Sequence, residues 1–135
     1  MPMSEFRRLF VVAAAIVAPA MCAAGSKPDI EHGKEAFTAM CGICHSVQET
    51  GGPNQGPNLL GVVGRKAGSQ SEFPMYSPAL KESGIKWKKK TLNKFLLNPM
   101  EMVPGTVMPM LIPDDKTRAD VVAYLATLKK SKKKK

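Results

Sequence analysis

The sequence predicts an all-α domain of short helices and long loops. Three observations carry that expectation. Four segments set apolar residues at helical spacing between recognisable helix starts and stops. No segment alternates apolar and polar residues over a useful strand length. Two long stretches are so rich in glycine or proline that neither a helix nor a central strand can run through them. At 135 residues the chain is sized for one domain.

Residues 1–24 are read as a secretory signal peptide. Arg7 and Arg8 precede the apolar run "LFVVAAAIVA", and "PAMCAAG" follows with small residues. Cleavage is placed after Ala24, with Ala20 as the second choice. The run is short for a bilayer span, and a retained N-terminal anchor is the alternative. Cys22 falls in the removed segment, and Met21 precedes it where a lipoprotein signal wants a small residue. Export puts the remaining chain in the periplasm, an oxidising compartment. Residues 25–130 then form the domain, and 131–135, "SKKKK", a polybasic tail.

The first helix is expected within "SKPDIEHGKEAFTAM". Pro28 sits near its first turn, Asp29 and Glu31 favour its positive end, and Ile30, Gly33, Phe37 and Met40 recur at helical spacing. "ETGGPNQGPNLLGVVGRKAG" has six glycines and two prolines and must be loop. "SPALKESG" is a short helix, capped by Ser77, opened by Pro78 and closed by Gly84. "TLNKFLLNP" is another, starting at Thr91 and stopped at Asn98-Pro99. "PMEMVPGTVMPMLIP" holds four prolines in fifteen residues and is expected to be irregular. "DDKTRADVVAYLATLKK" is the strongest helix. Asp114 and Asp115 start it, Val121, Tyr124, Leu125 and Leu128 share a face, and lysines sit at its negative end.

The first helix runs into "AMCGICHSV". After signal removal the chain keeps two cysteines, Cys41 and Cys44, and His45 follows directly. A four-ligand zinc site needs more Cys and His than remain. A thioredoxin-like motif needs a strand before it, and none is found; a small disulfide is the bland alternative. Cys-x-x-Cys-His is the attachment box of c-type haem: two thiols form thioethers with the vinyl groups, and the histidine binds the iron from below. The long loops agree with this, since loops of that length in a small domain need something to hold them. One covalent haem c gives them an apolar plate to wrap.

A histidine–methionine ligand pair suits electron transfer. Met40 is adjacent to the box and cannot reach the opposite haem face. Met108, 63 residues past His45 in the proline-rich loop, can. Met110 competes with it, and "MPM" leaves the local spacing undecided. Met75, Met100 and Met102 are read as gap-filling apolar residues. His32 would have to leave its helix to bind.

From Asp29 to Leu128 the chain resembles the soluble class I cytochromes c of the mitochondrial and α-proteobacterial type. The resemblance rests on "CGICH", "GPNLLGVVGRKAG", Trp87, "TLNKFLLNP", "VPGTVM" and "DVVAYL" in that order. It implies the class I cytochrome c fold wrapped around one haem, with Met108 as the axial ligand opposite His45. It implies that the Pro57 carbonyl backs the His45 imidazole, and that Arg65, Tyr76 and Trp87 hydrogen-bond the haem propionates. It also implies that Gly33 and Phe37 pack on Val121 and Tyr124. Two departures stand out. Phe95 and Leu80 occupy positions where many family members carry an inner hydroxyl or amide. Met40, Met100, Glu101 and Val107 stand where mitochondrial types ring the haem edge with lysine, and the basic residues lie instead in "KWKKK" and the tail.

The expected function is that of a periplasmic monohaem electron carrier, a monomer and not an enzyme. Its expected partners are redox proteins: a membrane respiratory complex, an oxidase or a periplasmic dehydrogenase. The lysine tail could add an anionic membrane surface. A dedicated dehydrogenase subunit, or a haem peroxidase or ligand sensor with an open iron site, are the rivals. The formal charge of +9 raises nucleic acid as a partner; export and the lack of basic residues interleaved with aromatics argue against it.

Overall fold

A computed structural model describes residues 26–131. The signal segment, Cys22 and the lysines after Ser131 lie outside the described residues. Five helices follow in order: α1 Ile30–Met40, α2 Pro78–Glu82, α3 Lys89–Leu97, α4 Pro99–Met102 and α5 Asp115–Thr127. Among the described residues the β-structure is one isolated antiparallel bridge, Lys66 with Lys86. No described helix is long and apolar enough to cross a membrane.

The helix starts follow side-chain oxygens. Asp29 caps α1: its carboxylate accepts the His32 N–H at 3.1 Å. Pro28 lies before the cap. Ser77 caps α2 by accepting the Leu80 N–H at 3.2 Å, with Pro78 as first helical residue, and Gly84 beyond its end has φ +66°. The third helix starts two residues earlier than expected. Thr91 is not its cap; its hydroxyl accepts the Lys88 N–H at 2.8 Å from inside the first turn. The proline-rich stretch contains one helical turn, α4. Asn98 accepts the Glu101 N–H at 3.2 Å, and Pro99 takes the first helical position, where a missing N–H costs nothing. Asp114 caps α5 through the Thr117 N–H at 2.7 Å.

Helices α1 and α5 form the principal crossing. A Cβ at Gly33 would lie 2.1 Å from the Asp120 carbonyl oxygen, so only glycine lets the two backbones approach this closely. Phe37 and Tyr124 meet beside it with ring centroids 5.5 Å apart, and Phe37, Val121 and Leu125 are buried. A polar clasp closes the same crossing. Asp120 is 0 % exposed. It accepts the Asp29 N–H at 2.8 Å, His32 Nδ1–H at 2.7 Å and Lys116 Nζ at 2.6 Å. Burial works to raise its pKa. The hydrogen bonds from Lys116, His32 and Asp29 overcome that and hold the carboxyl at about 2.

The loops are fastened by buried polar side chains. Asn58 donates to the carbonyls of Gln48 and Gly51, both at 2.8 Å, and accepts the Leu60 N–H at 2.8 Å. Arg118, 4 % exposed, donates to the Ile112 and Pro113 carbonyls at 2.7 and 3.0 Å, to Asn93 at 3.2 Å and to Asp115. With the Ile112 N–H on the Leu96 carbonyl at 2.7 Å, this pins the loop between α4 and α5 against α3.

Two predictions follow from the crossing. Gly33→Ala should destabilise the fold by about 3 kcal/mol, because the added methyl meets backbone rather than a movable side chain; urea unfolding of the haem-loaded chain measures it. Asp120 is held below its ordinary 3.8, so the unfolded chain takes up this proton first. The stability it carries is present above about pH 4 and is lost as pH falls toward about 2. Asp120→Asn should flatten the melting temperature over that window and lower it at neutral pH.

Candidate functional site: an apolar cavity behind a cysteine–histidine box

The end of α1 places the box. Cys41 is its C-cap, and its N–H and that of Gly42 both reach the Phe37 carbonyl, at 2.8 and 2.9 Å. The Cys44 and His45 N–H groups return to the Cys41 carbonyl at 3.1 and 2.9 Å, so the box is one tight turn. Both thiols are free. Burial, reinforced by Cys44, pushes the Cys41 thiol up to about 11. A redox-active cysteine needs the opposite shift.

His45 is held from two sides. Its Nδ1 lies 2.7 Å from the Pro57 carbonyl. A carbonyl only accepts, so Nδ1 carries the proton and Nε2 is left with the lone pair. Burial lowers the His45 pKa; the Pro57 carbonyl opposes that and Arg65 adds to it. The ring is therefore kept neutral, as a metal-ligating imidazole must be. Gly56 supplies the second support. A Cβ there would stand 2.4 Å from His45 Cε1, and the Gly56 N–H binds the Cys44 carbonyl at 2.8 Å. The backbone of residue 56 thus packs directly against the imidazole, with no room for a side chain between them.

A cavity of about 310 Å³ opens beside the box, with a predominantly apolar wall. Cys41, Cys44 and His45 stand in that wall, as do Pro57, Arg65, Tyr76, Trp87 and Met108, so all eight residues singled out from the sequence line one space. Trp87, 7 % exposed, packs edge-on against Phe95 at 5.1 Å between centroids. Tyr76 stands edge-on to Phe73 at 4.9 Å. Burial raises the Tyr76 pKa, against Arg65 and a hydrogen bond with the Gln70 backbone. Arg65 is half-buried, which lowers its own pKa. Its Nη2 and Nη1 donate to the Asn58 and Leu60 carbonyls at 2.9 and 3.4 Å. It braces the glycine-rich loop and keeps three of its five N–H donors for other partners.

Met108 is partly buried and packs on the core; Met110 also lines the cavity and is 41 % exposed. Met40, Met75, Val107 and Met110 contribute to the cavity lining, with Val107 71 % and Met75 60 % exposed. Met100, expected at this rim, is exposed and stands apart from it. Phe95 and Leu80 do face the cavity. His32 is engaged with Asp120 and takes no part. Three contributors carried no separate signal in the sequence: Gly56, Asn58 and the buried Thr106. Each lies inside a quoted motif or loop, and only the folded loop shows what it touches.

These residues suit a haem. The wall is apolar, two thiols stand on one turn for thioether attachment, and a neutral imidazole and a thioether share the space. Comparison with known proteins agrees. The cytochrome c family profile matches residues 30–129. The chain is 43 % identical over 121 residues to cytochrome c2 of Rhodomicrobium vannielii, covering 89 % of this chain and 94 % of that one. It is 45 % identical over 101 residues to cytochrome c of Tetrahymena pyriformis, covering 74 % and 89 %. Among solved structures, cytochrome cH from Methylobacterium extorquens superposes with a TM-score of 0.63 at 42 % identity, over 73 % of this chain and 98 % of that one.

Gly56→Ala should force the imidazole and the loop apart. The expected result is a lower melting temperature and a weakened low-spin absorption spectrum in the haem-loaded protein, with covalent haem retained on denaturing gels.

Proposed function

The chain belongs to the cytochrome c family, and on that footing we propose that it is a periplasmic one-electron carrier whose haem iron is held between His45 and Met108. It is a class I monohaem cytochrome c, with one haem c attached through Cys41 and Cys44. The haem supplies the Fe(III)/Fe(II) couple. The protein's part is to hold both ligands, exclude water and leave an edge for partners.

The observation that carries the reading is the fixed tautomer of His45. Its 2.7 Å bond to the Pro57 carbonyl presents a neutral nitrogen to the metal without further rearrangement. Met108 supports the opposite ligand. It is packed on the core, on a loop pinned by Arg118 and Ile112, whereas Met110 is more exposed. Two protein ligands leave no open site for peroxide chemistry, so the chain acts as a carrier rather than an enzyme. Arg65, Tyr76 and Trp87 stand on the cavity wall as donors for the propionates, which need partners once buried. Phe95 and Leu80 face the same space with no donor of their own, so they offer no hydrogen bond to the methionine sulfur.

The partners are redox proteins, a membrane respiratory complex, an oxidase or a periplasmic dehydrogenase, meeting a monomer at the rim of Met75, Val107 and Met110. That rim is apolar and adaptable, which suits contact by packing more than by ion pairs. Export relies on residues 1–24, cleaved after Ala24, and the terminal lysines add attraction to anionic membrane.

Removal of each methionine tests the ligand. Met108→Ala should let carbon monoxide bind the ferrous protein readily and abolish the methionine–iron charge-transfer band of the ferric form. Met110→Ala should leave both nearly unchanged. The reverse pattern would move the ligand to Met110, and no effect from either would restore the open-site reading.

A further inference from the structure

After α5 the chain turns back across the loop that supports His45. The helix ends on itself: the Leu128 N–H binds the Leu125 carbonyl at 3.3 Å, and Leu128 is extended, with φ −78° and ψ 105°. Its side chain packs on the core, and its carbonyl accepts the Gly61 N–H at 3.1 Å. Lys130 lies over Gly61, where an added Cβ would stand 3.3 Å from Lys130 Cγ. One residue further, the Ser131 N–H donates to Glu49 Oε1 at 2.8 Å, and the Ser131 hydroxyl donates to the same oxygen.

Glu49 and Gly61 stand on the two limbs of one loop, and Pro57 lies between them in sequence. The limbs are stitched to each other: the Leu59 N–H binds the Ser46 carbonyl at 2.8 Å, and Asn58 holds the Gln48 and Gly51 carbonyls. That closed loop delivers the Pro57 carbonyl to His45 Nδ1 and the Gly56 N–H to the Cys44 carbonyl. Leu128–Ser131 crosses both limbs and ties them to the end of α5. Helix α5 is itself packed on α1, whose C-terminal end carries the cysteine–histidine box. One frame therefore reaches His45 from both sides. Through α1 it holds the ring, and through α5, the chain end and the loop it holds the carbonyl that the ring binds.

We propose that Leu128–Ser131 is a strap, buckled on Glu49, that positions the Pro57 carbonyl on the His45 imidazole. Glu49 and Ser131 are positioning residues: neither lines the cavity, and they act on the iron ligand only through the loop. The strap affects two quantities. A loop tied at both limbs opens less often than one held by its own hydrogen bonds, since opening must also break the strap. A carbonyl held on Nδ1–H makes the imidazole a stronger donor, which favours Fe(III). Loosening the strap weakens that donation and raises the reduction potential. The second quantity rests on the reading that His45 binds the iron; the first is a property of the chain alone.

The test uses the full haem-loaded chain and removes each half of the buckle. Ser131→Pro deletes the N–H and the hydroxyl together and leaves the charge unchanged. Glu49→Ala deletes the acceptor. In native-state hydrogen exchange the Gly56 and Leu59 amides, which the strap does not touch, should exchange about tenfold faster in each variant. The double variant should exchange no faster than either single one, because both changes remove the same contact. The potential is read on Ser131→Pro, where no charge is lost, and should rise above the parent's. Glu35→Ala, which removes one exposed carboxylate from α1, should leave the exchange unchanged. Unaltered exchange in the buckle variants, or increases that add in the double variant, would overturn the strap. An equal acceleration from Glu35→Ala would reduce the effect to charge and overturn it too. Faster exchange with an unmoved potential would overturn its reach to His45. The methionine–iron band of the parent reads the ligand assignment separately: its absence would sink that assignment and leave the exchange result standing.

Discussion

Everything in the fold is arranged around an apolar cavity that the chain cannot fill with its own side chains. Helices of four to thirteen residues bury too little of one another to close a core in so short a domain. At the α1–α5 crossing the backbones meet closely, at Gly33 and Asp120. Trp87, Phe95, Leu96 and Val121, from the loop, α3 and α5, all contribute to the cavity wall. A haem fixed through Cys41 and Cys44 replaces the missing packing. Attachment at the C-terminal end of α1 ties it to the helix that crosses α5.

The loops can do this because their polar groups are satisfied locally. Asn58 gathers the Gln48–Gly51 turn, Arg65 braces the following strand of loop, and Arg118 clamps the segment that carries Met108. Each is a buried or half-buried side chain bonded mainly to backbone carbonyls, and this is how irregular backbone survives near an apolar centre. The same device fixes the chemistry at His45. One carbonyl chooses the tautomer, and one glycine allows the contact that holds the ring. Surface composition follows a different division: thioethers and valine at the rim, lysines at the Lys66–Lys86 bridge.

Much of this was legible in the sequence, because caps, period and the Cys-x-x-Cys-His box are local signals. Ser77, Asp114 and Gly84 act as expected. The errors are also local. Pro28, expected near the first turn of α1, lies one residue before the cap Asp29, whose carboxylate satisfies an N–H that a proline ring cannot. Thr91 was read as the start of α3, and the helix begins two residues earlier, with the Thr91 hydroxyl accepting the Lys88 N–H from inside the first turn. Pro99 was read only as a breaker, although the first helical position tolerates it. What composition and spacing could not show is tertiary. The residue types of the site were evident, and the resemblance to class I cytochromes c selected among them, yet Gly56 against the imidazole, Asn58 spanning two turns and Lys66 facing Lys86 exist only once distant segments meet.

The claim that the haem completes the core is tested most directly by the near-ultraviolet circular dichroism of Cys41→Ser, Cys44→Ser chain prepared without haem, followed through a thermal scan. The account predicts residual helix in the far ultraviolet but no fixed signal from Trp87 and no cooperative transition. A haem-free chain that keeps that aromatic signal and melts cooperatively at the temperature of the loaded protein would contradict it.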